Sequence, residues 1–260
     1  MAAPALLFVN LAVVLVCMSA LWAVATRTGD PSFVDAFWPF GFVIVAAVSF
    51  AFTADGDGAR RAALLVLTAV WGLRLAGYLF ARWRRSGPDP RYVALLRNAP
   101  NRNVAMLTKV FLLQGALMWV VSLPLQLGMA ASATGFTLLG YAGIALSVTG
   151  IAFESIGDAQ LARFKADPAH AGKVMDRGLW RYTRHPNYFG DACHWWGVFL
   201  VALVDVTTAL SVIGPLLMNF LLVRWSGKAL LERKLGRSKP GYADYVARTS
   251  GFFPRPPRRG

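Results

Sequence analysis

Cysteine is nearly absent: the 260 residues contain two, Cys17 and Cys193, both inside apolar stretches. Two isolated thiols so placed suggest neither a disulfide framework nor a zinc site. Histidine is as scarce, at three residues, and His170 and His194 lack the spacing of metal ligands, so no metal centre is expected. Internal repeats and low-complexity tracts are missing apart from the tail Pro254–Gly260, which is too short and charged to pack and is expected to fray at a headgroup surface. The run Gly135-Phe-Thr-Leu-Leu-Gly-Tyr-Ala-Gly143 has neither the spacing nor the strand context of a dinucleotide or phosphate-loop fingerprint. Gly143 and Ser147 read instead as a small-residue packing edge. The N-terminal run has no basic leader region and is too long for a cleaved signal, so a retained first helix is expected.

Apolar sequence, by contrast, is abundant. Hydrophobic residues make up 56% of the chain and the mean hydropathy is +0.48. Runs of about 20 apolar residues span a bilayer, and the sequence predicts seven: 5–26, 33–53, 62–82, 103–127, 135–162, 187–205 and 208–230. So many cannot form the core of a soluble domain of this length. The expected fold is all-α: a polytopic membrane protein, a seven-transmembrane-helix bundle forming one domain over 1–260.

The net charge of +14 raises the question of nucleic acid, and the placement of the charges answers it. Of 27 Lys and Arg, 7 fall in Arg82–Lys109, 6 in Arg163–Arg184 and 10 in Arg224–Arg259. With seven spans these segments share one side, while the connections near Gly128–Thr134 and Asp205–Thr207 carry no basic residue. That is the positive-inside pattern, with the N-terminus outside and the C-terminus cytoplasmic. Anionic membrane lipids are the natural partners of this charge. No basic-aromatic stacking platform suggests nucleic acid. The long connections 82–103 and 163–186 can fold over the cytoplasmic mouth, so a site open to cytosolic solutes belongs there.

Ionisable groups inside spans are costly and turn to the bundle interior. On the fifth span Glu154, Asp158, Leu161 and Lys165 share one face, and on the sixth Asn187, Asp191 and His194 do the same. On the third, Trp71, Arg74, Tyr78 and Arg82 line a face; Asp35 enters the second span beside Trp38. Gln114 and Asn219 fit either a site or simple interhelical bridging. Pro186 suits the first turn of a helix, so the sixth should begin near His185–Asn187, its free N–H groups and positive dipole end facing the cytoplasm. Arg181, Arg184 and His185 surround that end, a setting that suits phosphate. Asp191 repels phosphate and is better placed to accept bonds from a ribose hydroxyl or carboxamide.

These residues resemble a known family, the bacterial membrane proteins of the steroid 5-alpha-reductase family. The matching stretches are Val34-Asp-Ala-Phe-Trp38, Trp71-Gly-Leu-Arg-Leu-Ala-Gly-Tyr78, Leu113-Gln-Gly115, Glu154-Ser-Ile-Gly-Asp158, Gly178-Leu-Trp-Arg-Tyr-Thr-Arg-His-Pro-Asn-Tyr-Phe-Gly-Asp191 and Tyr242-Ala-Asp-Tyr245. The last third is the specific part. The resemblance implies a cofactor half over 135–253 holding NADPH, and a looser half over 1–130 on the side of a lipid-like enone. It implies cofactor contacts at Asp158, Lys165, Lys173, Asn187, Asp191, Glu232 and Tyr245, to which the residues around the helix start add Arg181, Arg184, His185 and Tyr188. Steroid reductases polarise the substrate ketone with a Gln-Glu pair on the second helix and a Tyr on the third. Asp35 stands near that Glu, while Trp71 occupies the Tyr position and the nearest phenol along the helix is Tyr78.

The expected chemistry is NADPH-dependent reduction of an activated C=C bond in a steroid-like or other lipid, with Tyr78, Asp35 and Arg74 as the catalytic candidates. A buried donor stabilises charge on the carbonyl oxygen and a proton completes the reduction. The rival reading is an S-adenosylmethionine-dependent methyltransferase of the isoprenylcysteine carboxyl or phospholipid type. Those proteins share an Arg-His-Pro-x-Tyr-x-Gly stretch and a late acidic residue followed by Gly-x-x-Tyr-x-x-Tyr, compared here with Glu232 and Gly241–Tyr245. The Asn187/Asp191 pair and the Asp158–Lys165 stripe favour the reductase. A transporter is disfavoured by the odd helix count and by polar groups crowded at one mouth. The compact chain suits a bacterial inner membrane.

Overall fold

The computed structural model describes residues 1–225, 232, 236 and 239–258. Its helices include α1 (Ala3–Thr28), α2 (Val34–Phe52), α3 (Gly58–Ser86), α4 (Pro90–Leu96), α5 (Arg102–Val121), α6 (Leu123–Ala130), α7 (Leu138–Ala166), α8 (Pro186–Ala202), α9 (Val206–Trp225) and α10 (Tyr242–Arg248). No strand occurs among the described residues; Thr183 and Ser250 form one isolated bridge.

Six helices, α1, α2, α3, α5, α7 and α9, are long and apolar enough to cross a bilayer, which marks an integral multi-pass membrane protein. The predicted sixth span, 187–205, forms α8. Its 17 residues rise about 25 Å at 1.5 Å each, just under a hydrocarbon core of about 30 Å, so it is not among the six. The last predicted span, 208–230, is helical through Trp225, and its remainder lies outside the described residues.

The chain divides into two compact units. One comprises Met1–Ala142 and Val198–Gly214, the other Gly143–Gly197 and Pro215–Gly260.

In the first unit α2 and α3 pack along their length. Gly72 of α3 lies against the Pro39 carbonyl oxygen, where a Cβ would sit 2.7 Å away, and Gly115 of α5 faces Val14 and Met18 of α1. Small residues let helix backbones approach where lipid offers no hydrophobic drive to associate. Phe42, Leu64, Trp71, Phe111 and Met118 fill the space between. Asp57 caps α3, accepting from the Arg60 N–H at 2.7 Å and from the Gly135 N–H at 2.9 Å. Arg60, 1% exposed, donates to the carbonyls of Gly128, Ala131 and Ala133 at 3.0, 2.8 and 2.6 Å. Arg61 is bound to Thr53 and to the Phe50 carbonyl. Two charges that look free in the sequence are thus consumed by backbone, which desolvated guanidinium groups require.

In the second unit α7 and α8 run together as a glycine zipper with a seven-residue period. Gly143, Gly150 and Gly157 on α7 meet Gly197, Gly190 and Pro186 on α8. At Gly190 a Cβ would lie 2.5 Å from the Gly150 carbonyl oxygen and 2.6 Å from the Glu154 nitrogen; at Gly197, 2.6 Å from the Ser147 nitrogen. The expected packing edge at Gly143 and Ser147 is therefore the first step of a longer one. The contact brings Ser147 Oγ to 2.8 Å from His194 Nδ1, both residues fully buried.

The tail does not fray as expected over its described part. The Arg255 N–H donates to the Tyr182 carbonyl and the Arg258 N–H to the Arg248 carbonyl, both at 3.0 Å. Thr183 Oγ1 donates to the Phe252 carbonyl at 2.8 Å. Backbone pairing with the 182–184 segment supplies the order that the tail's own side chains do not.

Candidate functional site

In the second unit the polar segment 176–191 leads into α8, which begins at Pro186 as its missing N–H and fixed φ favour. Before it, Gly178 takes a left-handed φ of 57° and turns the chain beneath Gln160, whose Oε1 accepts from the Leu179 N–H at 3.0 Å. Trp180 is buried, with its indole N–H on the Gly157 carbonyl at 3.0 Å. The Tyr245 hydroxyl donates to the Trp180 carbonyl at 2.6 Å, fixing α10 to this turn.

Arg184 and His185 meet at Glu232. Arg184 Nε and His185 Nε2 each lie 2.9 Å from Glu232 Oε1, and Arg184 Nη1 also donates to the carbonyls of Val246 and Thr249. Burial alone would raise the Glu232 carboxyl, but the bonds from His185 and Arg184 outweigh it and bring its pKa down to about 2. Tyr188 stacks on the His185 ring at 5.2 Å with the planes 2° apart. Burial, with the Glu232 charge second, pushes the Tyr242 hydroxyl up to about 12, and burial likewise raises Tyr245.

Asp158 and Asp191 are 4% and 8% exposed, and Glu154 is 3% exposed, so none of the three faces lipid. Asn187 is half-buried, its backbone nitrogen 3.5 Å from where a Cβ on Gly157 would stand. Lys165, Lys173 and Arg181 are exposed, and the Lys173 carbonyl accepts from the Lys239 ammonium. The sequence-predicted cofactor residues therefore divide into three kinds. Asp158, Asp191 and Asn187 are sheltered acceptors beside the helix start. Arg184, His185, Glu232, Tyr188 and Tyr245 form a braced cluster. Lys165, Lys173 and Arg181 are cations reaching solvent.

In the first unit a second cluster centres on Asp35 at the start of α2. Tyr92 of α4 donates its hydroxyl to Asp35 Oδ1 at 2.6 Å and accepts from Gln114 Nε2 at 2.9 Å. Arg91 pairs with Asp35 and, at 3.0 Å, with Asp89. Asp89 caps α4 through the Arg91 N–H at 2.8 Å, with Pro90 in the first turn. Burial, then the Asp35 charge and hydrogen bond, raise the Tyr92 phenol. Burial would lower Arg91, but Asp89 and Asp35 reverse that and raise it. Arg74 and Tyr78 are half-buried on α3. Tyr92 and Arg91 are members of this cluster that sequence reasoning did not single out, while Gln114, left between a site and interhelical bridging, joins it through Tyr92. The available signal was Asp89-Pro90, a helix start within the long 82–103 connection, which turns Tyr92 back toward Asp35.

Helices of this length, small-residue contacts between them and buried carboxylates flanking a helix start define a polytopic helical membrane protein with a polar site. Residues 21–249 match the family described as "Protein of unknown function (DUF1295)", and the chain belongs to that family. It is also similar to the uncharacterized protein C594.04c of Schizosaccharomyces pombe, at 23% identity over 91% of this chain and 76% of that one. No solved structure matches it.

Proposed function

We propose that this protein is a membrane-embedded, NADPH-dependent reductase of an activated C=C bond in a steroid-like or other lipid. The observation that carries the reading is the shelter given to Asp158 and Asp191 within apolar helices, beside Asn187 at the start of α8. Sheltered carboxylates beside a helix start suit ribose hydroxyls and a carboxamide, which donate to such oxygens. The resemblance to the steroid 5-alpha-reductase family over the same residues supports this.

The residues fit a phosphorylated dinucleotide with one adjustment. Because Arg184 is held by Glu232 and two carbonyls, the phosphates would fall to Lys165 and Lys173, which reach solvent. His185, stacked on Tyr188, would keep the wall of the site in place. The bound cofactor supplies the hydride, and the chain supplies orientation and exclusion of water. On the substrate side, the contacts to Arg91 and Tyr92 support Asp35 as a carboxylate that orients a phenol rather than as a proton donor. Tyr92 joins Tyr78 as a candidate donor, with Arg74 tuning the latter.

This reading counts α8 as the seventh span, tilted little and extended by flanking residues, with the N-terminus outside and the C-terminus in the cytoplasm of a bacterial inner membrane. Arg60 and Arg61 would then lie at the outer end. Their burial against carbonyls removes them from the positive-inside count. The direct test is NADPH oxidation by detergent-purified protein given enone sterols and other enone lipids. Unchanged turnover in Tyr78→Phe/Asp35→Asn, and separately in Tyr92→Phe, would remove those groups from catalysis. One contact favours the methyltransferase alternative: Arg184 and His185 join Glu232, linking the two stretches those enzymes share. Calorimetry with NADPH against S-adenosylhomocysteine separates the two.

A further inference from the structure

A cleft of about 740 Å³ opens in the second unit, its lining free of Glu154, Asp158 and Asp191, and four arginines line it: Arg177, Arg181, Arg248 and Arg258. They come from three stretches far apart in sequence. One spans the turn at Gly178, one ends α10, and one is the tail. The only carboxylate in the lining is Asp176, whose Oδ2 is 3.6 Å from Arg248 Nη2. The lining thus carries four positive charges against one negative charge.

Backbone bonds fix this arrangement. The Arg258 N–H donates to the Arg248 carbonyl and the Arg255 N–H to the Tyr182 carbonyl, while Tyr245 ties α10 to Trp180. Pro256 and Pro257 lie in the tail wall, where their rings restrict the backbone. Like charges drawn together around a cavity repel one another, and scattered surface arginines would be free to spread. Here the backbone bonds keep four exposed arginines on one cleft, and an anion there would offset their repulsion. Guanidinium groups bind oxygen anions bidentately, and several on one cleft suit the higher charge and three or more oxygens of a phosphate. The volume lies in the range of small-molecule sites, about 300–1,000 Å³.

We propose that this cleft is a phosphate-binding site, taking either the headgroup of an acidic phospholipid or a soluble phosphate ester. The site is independent of the reductase reading. Arg181, grouped with the cofactor on sequence grounds, serves this cleft.

The test uses the full-length protein in neutral detergent. Calorimetry with inorganic pyrophosphate reports the soluble source. Native mass spectrometry from micelles of phosphatidic acid and phosphatidylcholine reports the lipid source. Saturable binding of at least one probe is expected, weakened about tenfold or more by each of Arg181→Gln, Arg248→Gln and Arg258→Gln. Arg163→Gln, which removes an equal charge from an exposed arginine outside the lining, should leave it within about twofold. Asp176→Asn should tighten binding several-fold, since it removes the one repelling group without removing a donor. Pyrophosphate binding identifies a soluble ligand, and retention of phosphatidic acid alone identifies the headgroup. Binding of neither probe overturns the proposal. So does binding that Arg163→Gln weakens as much as the three lining variants, or that Asp176→Asn abolishes.

Discussion

Replacing Gly150 by alanine probes the contact that sets α7 against α8 and, with it, the positions of Asp158, Asn187 and Asp191. The new Cβ would collide with the Gly190 carbonyl oxygen and lie 2.6 Å from the His194 nitrogen and 2.9 Å from the Cys193 Cβ. Ordinary contact begins near 3.4 Å, and two of these three neighbours are backbone, so no rotamer change relieves them. The helices must part by roughly 0.5–1 Å, which forfeits about a quarter to a half of each dispersion contact along the zipper. Overpacking of this kind costs about 1–3 kcal/mol, against a helix-propensity gain of about 1 kcal/mol for Gly to Ala. The net expectation is a loss of up to about 2 kcal/mol, or up to about 8 °C in Tm for a chain of this size. Gly77→Ala on α3 is the control. Its Cβ would meet nothing within 4 Å, so the same substitution there should raise Tm by a few degrees. Intrinsic fluorescence during heating in one detergent reads both. A Gly150→Ala protein as stable as Gly77→Ala would refute the close-packed zipper.

Other expectations follow from single contacts. Glu232→Gln keeps the shape but removes the charge that Arg184 and His185 share; it should lower stability by about 1–3 kcal/mol, read as a fall in Tm. Glu232 has its pKa depressed from 4.5 to about 2, so its stabilisation is whole above pH 4.5 and is lost as pH falls toward 2. A Tm profile across that acid window should steepen in the native protein and flatten in Glu232→Gln. Tyr92→Phe removes one bond to Asp35 and one from Gln114, and should cost about 1–3 kcal/mol in thermal or denaturant unfolding. Arg60→Leu leaves the carbonyls of Gly128, Ala131 and Ala133 without that donor; a loss above about 3 kcal/mol is expected, measured by the same unfolding assay.

The spans were legible because each is a long apolar run with few charges, a signal that depends on composition more than on neighbours. The start of α8 was legible too, since Pro186 imposes it locally. The length of α8 was harder: Asp205 and Thr208 form the capping box of α9, so the apolar run 187–205 ends as helix at Ala202. The period Gly143, Gly150, Gly157 is written in the sequence, but its meaning appears only opposite Gly190 and Gly197. Arg184 and Arg181 show the limit most clearly. Three residues apart in one loop, they look equivalent as phosphate ligands, yet one is consumed by Glu232 and the α10 carbonyls while the other lines an open cleft. Which acceptor an arginine meets is decided by chain brought back from 48 or more residues away, which local pattern does not encode. Tyr92 was hidden for the same reason, since its partners Asp35 and Gln114 lie 57 and 22 residues distant.

Affinity of the purified protein for nicotinamide nucleotides, measured by calorimetry in detergent, tests the proposed activity most directly. The account predicts saturable NADPH binding, weakened at least tenfold by Asp158→Asn or Asn187→Ala in variants that keep the parent Tm, and no comparable affinity for S-adenosylhomocysteine. Folded protein that binds no nicotinamide nucleotide, or that binds S-adenosylhomocysteine in its place, would contradict it.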